Sequence, residues 1–311
     1  MTANVVRACT HVCVMVFAMI VYTDSVAAQG TREMVQVAKD VYAMTGAGSN
    51  AGFVVTEEGV LAFDSDIRND DLPALRKVTD KKVVYLFASH ASGDHSTGAW
   101  HFREDKPVYI GTRDQIRAYF QHEAKEFEDR RAQGLPGYTV KGAQLVPPSM
   151  GFEQSLTVLL GGLTFQATAE GYGHTAGDMT MYIPQRRVMF MGDLLNNEIH
   201  PGQAEAAGVF YGHIQGTIDI LNRIIDRNLP VDTYVPGHGP IHVGRGIADV
   251  VDQRDYFIMM RDEVAKMVLA GKSLEQIVKE FKVPQRFAHY APGRLPGILR
   301  LFYNQLLERG L

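Results

Sequence analysis

The stretch Ser89-His90-Ala91-Ser92-Gly93-Asp94-His95-Ser96-Thr97-Gly98 constrains this chain more than any other. It follows Val83-Val84-Tyr85-Leu86-Phe87-Ala88, a continuous apolar, partly β-branched run of the kind that a strand buried on both faces requires. Two imidazoles and a carboxylate at the carboxyl end of that strand gather borderline and hard metal ligands on one loop. Gly93 lets the backbone bend so that they converge on one point. The competing reading is a polar turn that carries histidine by chance.

Three later segments repeat the arrangement, each an apolar, strand-like run ending in a ligand type beside glycine. They are Gly171-Tyr172-Gly173-His174-Thr175-Ala176-Gly177-Asp178, Val188-Met189-Phe190-Met191-Gly192-Asp193 and Tyr234-Val235-Pro236-Gly237-His238-Gly239. Taken in order, the four segments resemble the metallo-β-lactamase fold superfamily, whose motifs are H-x-H-x-D-H, G-H-T-x-G-D, a strand-end G-D and P-G-H-G. The resemblance runs from about residue 40 to about residue 245. It implies an α/β fold, an αββα four-layer sandwich, here with a C-terminal helical extension. It also implies that His90, the second histidine of the motif and His174 bind one metal, that Asp94, His95 and His238 bind another, and that Asp193 bridges them. An Asp at the position of Asp64 orients the metal loop in that family.

One position departs from the pattern, because Ser92 stands where the family has its second histidine. A neutral hydroxyl is a far poorer zinc ligand than imidazole, so the position built from His90 and His174 is expected to bind weakly while Asp94, His95 and His238 remain complete. Ser92 then binds weakly or through water, or His200 or His213 substitutes, or one tightly held metal suffices. Ser92 as a covalent nucleophile is the weakest alternative, for want of a general base apart from the ligands themselves. The favoured expectation is one tight and one weak metal.

Imidazole and carboxylate without thiolate suit zinc, with iron or manganese as substitutes. A metal-bound water has a pKa near 7, which makes hydroxide available for hydrolysis, and Asp94 is placed to accept its hydrogen bond and to shuttle a proton. The expected activity is therefore metal-dependent hydrolysis of a small ester, lactone, amide or related molecule. Two alternatives come from other classes, a mononuclear iron oxidoreductase of sulfur compounds and a metal-binding protein with a degenerate site.

Residues 1–28 read as a secretory signal, with Arg7 ahead of an apolar core from Val12 to Tyr22 and small residues at Val26-Ala27-Ala28. The core is too short for a stable membrane span, so the mature chain is expected to start at Gln29 in the periplasm or outside the cell, without a membrane anchor. Both cysteines, Cys9 and Cys13, fall within that signal, which excludes disulfides and thiol catalysis from the mature protein. A net charge of −4 and the lack of a Lys/Arg run argue against a nucleic-acid partner.

The remaining pattern divides into a catalytic domain at residues 29–245 and a helical extension at residues 246–311. Paired strands are expected from Val41 to Asp64, with a turn at Glu58-Gly59, and a helix from Asp70 to Thr79 buries Leu72, Leu75 and Val78. A charged helix runs from Arg113 to about Gln133, followed by an irregular loop from Gly134 to Gly151 and a second strand series from Leu156 to Met191. Trp100 reads as a packed aromatic wall and His101 as structural or surface. Asn196 to Gly216, with His200, Phe210, Tyr211 and His213, is irregular and follows a ligand directly, which suits a segment that shapes a substrate pocket. Helices follow beyond Gly246, and Met259, Met260 and Met267 add apolar surface for contact with a second copy of the chain, as a homodimer.

Overall fold

Side-chain alternation along the strands decides how the layers stack, since successive residues of a strand point to opposite faces. A computed structural model describes residues 32–68, 71–202 and 212–308, with the two short strands at 205–206 and 209–210. The expected signal segment, both cysteines and Tyr211 lie outside the described residues, as does the side chain of Phe210.

The first sheet contains β1 (Glu33–Ala38), β2 (Val41–Thr45), β3 (Ala51–Thr56), β4 (Gly59–Phe63), β5 (Val83–Phe87), β6 (Val108–Thr112) and β7 (Met150–Phe152), in that spatial order. Its first four strands pair antiparallel and β4 to β7 pair parallel, so the strand–helix–strand crossover expected around residue 75 is present. The second sheet is built from β8 (Ser155–Leu160), β9 (Leu163–Gly171), β10 (Asp178–Ile183) and β11 (Val188–Asn196). After a small ribbon of β12 (Glu205–Ala206) and β13 (Val209–Phe210), β14 (Thr233–His238) joins it parallel to β11. The order is β14-β11-β10-β9-β8.

In β4, Leu61 and Phe63 face the second sheet, whereas Val60 and Ala62 face outward toward α1 (Asp71–Leu75). In β11, Val188 and Phe190 face the first sheet, and Met189 and Met191 face α5 (Ile214–Asp226) on the far side. Phe63 and Phe190 stack across the inter-sheet core at 5.3 Å. The result is an αββα four-layer sandwich, the expected architecture.

The remaining helices are α2 (Gly93–Ser96), α3 (Arg113–Ala118), α4 (Ala124–Ala132), α6 (Ala248–Leu269), α7 (Leu274–Glu280) and α8 (Leu295–Glu308). A π-helical turn, Tyr119–Glu123, joins α3 to α4. The C-terminal helices share a core with the catalytic domain: Val250, Phe257, Ile298 and Phe302 pack in one cluster with Met191, Leu194 and Leu221. Among the described residues, no helix is long and apolar enough to cross a membrane.

Two local expectations need correction. The helix after Asp70 ends at Leu75, where bonds from Lys77 N to Ala74 O and from Val78 N to Leu75 O tighten the chain to three residues per turn and turn Val78 to solvent. The loop ending at Gly151 closes as β7, which pairs parallel to β6 at the sheet edge; three residues are too few to show a period. Trp100, by contrast, is buried among Ile67, Phe127 and Tyr138 as a packed aromatic wall, with His101 buried beside it.

Candidate metal centre

Strand ends of both sheets meet at one edge of the sandwich, and every sequence-selected histidine and aspartate of the four motifs arrives there. His90, His174 and Asp193 form one group and Asp94, His95 and His238 a second, with the candidate ligand atoms of each group within 4.8 Å of one another. Asp193 reaches both groups: its Oδ2 lies 3.4 Å from His174 Nε2 and 3.4 Å from His238 Nε2, and its Oδ1 lies 3.1 Å from His95 Nε2. Across the second group, His238 Nε2 is 3.2 Å from Asp94 Oδ2 and 3.4 Å from His95 Nε2.

Outer hydrogen bonds aim these rings. Asp64, held at a left-handed φ of 64°, accepts from Ser89 N at 2.5 Å, from Ser89 Oγ at 2.9 Å and from His95 Nδ1 at 2.8 Å. Because Ser89 Oγ donates to Asp64, it accepts from His90 Nδ1 at 2.9 Å, which leaves His90 Nε2 as a lone pair. That atom is buried with no hydrogen-bond partner. His238 Nδ1 donates to Gly48 O at 3.0 Å, so its Nε2 also faces the cluster with a lone pair. The expected orienting role of Asp64 thus has a geometry, extending to His90 through Ser89.

Close backbone approach makes this possible. Gly192 adopts φ 53°, and a Cβ there would lie 2.3 Å from Ser89 Cβ; a Cβ on Gly237 would lie 2.0 Å from Asp193 Oδ1. Asp178 closes the remaining motif by accepting from His174 N and from Thr175 N and Oγ1. Burial pushes the Asp178 carboxyl up to about 7 against those bonds.

The electrostatics of the cluster are those of a cation site. Burial alone would raise the Asp193 carboxyl, yet His238, His95 and His174 hold it well below the usual range. Burial works against charge on His95, and Asp193, Asp94 and Asp64 overcome it to raise that imidazole well above its ordinary value. His90 is pushed well down, first by burial and then by His95 and His174. Carboxylates that favour a proton on His95 favour a divalent ion in the same place, and the unpartnered His90 Nε2 is a ready donor to it. The donor set therefore fits metal ions.

Ser92 stands at the head of α2, where its carbonyl accepts from His95 N and Ser96 N and its hydroxyl makes no capping bond. Neither histidine considered as its substitute joins the first group. His200 Nδ1 lies 2.7 Å from Tyr256 Oη, and His213 caps α5 by accepting from Gly216 N and stacks on Tyr172. Sequence reasoning missed Ser89, Gly48 and Gln115. Gln115 closes a capping box with Thr112 and donates from Nε2 to His90 O at 3.2 Å, which ties α3 to the metal loop. Its signal was the Thr112-x-x-Gln115 spacing after a strand.

Residues 44–238 match the sequence profile of the Metallo-beta-lactamase superfamily. The chain belongs to that superfamily. A curated relative, the linear primary-alkylsulfatase of Pseudomonas sp. (strain ATCC 19151), is 22% identical over 270 residues, covering 76% of this chain and 50% of the relative. Among solved structures, the stereoselective inverting sec-alkylsulfatase Pisa1 from Pseudomonas sp. superposes with a TM-score of 0.70 at 18% identity, over 89% of this chain and 50% of that one. A metallo-β-lactamase from Pontibacter korlensis superposes at 0.55 and 17% identity, over 72% of this chain and 99% of its own. The chain therefore spans about half the length of the alkylsulfatases it matches, while a metallo-β-lactamase fits almost whole inside it. These likenesses share the fold.

Proposed function

We propose that the protein is a metal-dependent hydrolase of a small ester, and that a sulfate monoester of an alkyl alcohol is the first substrate class to test. The observation that carries this reading is the convergence of two His/Asp groups on a shared Asp193, with the unpartnered Nε2 of His90 and the Nε2 of His238 turned inward. His90, His174 and Asp193 would hold one ion and Asp94, His95 and His238, with Asp193 in reach, the other, zinc by donor type, with iron or manganese as substitutes. Ions held there supply Lewis acidity and lower the pKa of water to near neutrality.

The chain's own residues supply the rest. Asp94 is the open member of the cluster, its side chain 40% exposed while His95 is fully buried, so it is the carboxylate that meets incoming solvent and substrate. It accepts a proton at a carboxylate oxygen and passes it to the leaving oxygen. Arg130, which pairs with Glu126 through Nη2, donates from Nη1 to Tyr138 Oη at 2.8 Å, and both groups lie close to Gly93, beside Asp94, where they could meet an anionic ester. The alkylsulfatase neighbours support an ester of sulfate over a β-lactam because the likeness to them extends over more of this chain, 89% against 72%. The iron oxidoreductase and degenerate-site readings gain no comparable support.

Purified protein is expected to release sulfate from alkyl sulfates, to lose that activity with chelator and to regain it with zinc. Silence across sulfate-ester, carboxylic ester, lactone, amide, β-lactam and phosphodiester substrates in metal-loaded protein would sink the hydrolase reading. Residues 1–28, as a signal, support a location in the periplasm or outside the cell, to be checked by fractionation and by an N-terminus at Gln29. Solution scattering against concentration tests for the homodimer.

A further inference from the structure

Behind the metal cluster, a cleft of about 540 Å³ opens between the end of β11, the connection from β14 into α6 and the turn at Gln285–Phe287. None of the six residues of the two metal groups lines it. Its floor is polar and buried: Asn196, Asp249 and Gln253 line the cleft and are each 1% exposed. Asn196 Oδ1, Asp249 Oδ2 and both amide atoms of Gln253 have no hydrogen-bond partner. A buried polar atom left unpaired is costly, so four such atoms on three residues of one cleft mark a place where something outside the protein completes them.

The fold sets their direction. Asp249 and Gln253 sit one turn apart on α6 and share a face. Asn196 is the last residue of β11, and its Nδ2 donates to Asp193 O at 2.9 Å, which fixes Oδ1 as the free atom. The neighbouring cations are already committed. Arg245 donates to Asp249 Oδ1 and to Asp252, Arg286 donates to Asp252 and Asp255, and His242 lies between Asp249 Oδ1 and Glu198. What remains is three acceptors and one donor. Against Arg245 and Arg286, the lining carboxylates Glu198, Asp249 and Asp252 leave one net negative charge, 2 − 3. Phe287 and Tyr290, with ring centroids 5.4 Å apart, wall the cleft.

We propose that this cleft binds a small primary amine, in its ammonium form, that carries a hydroxyl or carbonyl oxygen close to the nitrogen. The three N–H groups of an ammonium match Asn196 Oδ1, Asp249 Oδ2 and Gln253 Oε1, and the ligand oxygen accepts from Gln253 Nε2. The aromatic wall takes the intervening methylenes and favours the positive charge. The proposal does not depend on the hydrolase reading.

Calorimetry on the purified full chain tests it, with ethanolamine as the probe and propionate as the control, on metal-loaded protein and again after chelation. Saturable one-site binding of ethanolamine is expected, with the same affinity in both states and none for propionate. Gln253→Leu is expected to weaken it roughly tenfold or more without lowering Tm, since it removes only unpaired polar atoms. Gln253→Met keeps the side-chain length and is expected to behave alike should the leucine variant not fold. Binding that vanishes on chelation belongs to the metals and overturns the site. So does binding that either Gln253 variant leaves unchanged, or a crystal soaked in ethanolamine that shows only water on Asp249 Oδ2.

Discussion

The two metal groups use the same residue types and differ in closure. His90, His174 and Asp193 are all buried, whereas Asp94 keeps the second group open to solvent. In the closed group Ser92 stands where the family motif carries an imidazole, and neither His200 nor His213 supplies one. The open group matches the motif at Asp94, His95 and His238 and is braced on both sides, His95 by Asp64 and His238 by Gly48 O. Closure and agreement with the family motif are therefore separated: the sheltered group departs from the motif, and the group that matches it is the one open to solvent.

The largest expected effect breaks the open group. His95→Ala or His238→Ala removes the tight metal equivalent and lowers turnover by more than the roughly 10–100-fold typical of losing an outer partner. His174→Ala, in the weaker group, leaves the tight equivalent in place. Metal analysis with kinetics decides, and retained metal and turnover in both of the first two variants would refute the assignment. Next in size is Asp64→Asn, which serves His95 directly and His90 through Ser89; it is expected to cost about 10–100-fold in zinc affinity by chelator competition, with both groups affected. Third, zinc titrated into stripped protein is expected to reach a stoichiometry near one at low free metal, and Ser92→His to move it toward two. Two equally tight ions in the unaltered protein would mean that some other group completes the closed site.

The smallest effect probes the open side through pH. Glu123, in the π-helical turn, is buried and feels the charges of Glu126 and Asp94, and burial chiefly raises its carboxyl from 4.5 to about 8. The folded chain thus keeps a proton that the unfolded chain has released. Its contribution to stability is full below about pH 4.5 and is lost as pH rises through about 8. Glu123→Gln is expected to raise Tm by about 2–4 °C at pH 9 relative to its effect at pH 4, as read by calorimetry. An equal shift at both pH values would remove Glu123 from the account.

Strand ends and ligand types were legible because each was written locally, as an apolar run ending in glycine and a ligand type, whereas the four-layer stacking was implied by the resemblance that those motifs carry. The braces were not. Gly48 acts through its carbonyl, which any residue carries, and Ser89 acts through a hydroxyl whose partner lies 25 residues earlier. His200 and His213 looked available in sequence because a loop hides where its side chains point; in the fold one is packed on Tyr256 and the other caps a helix. The amine cleft was equally hidden, since Asn196 and Gln253 fall in separate elements whose meeting depends on how α6 docks on β11.

His95 and His238 stand 143 residues apart and yet face each other across 3.4 Å, and Asn50 donates to Pro236 O across 186 residues. Closing loops of that size is a late event in folding, because chain entropy opposes it until most other contacts exist. The loop from His90 to His95 leaves the ribosome long before its partner histidine does, so this group of ligands is assembled only when the last strand of the second sheet has docked. A metal ion held there would enter late, as a timer on folding, and would tie the two ends of the sandwich together.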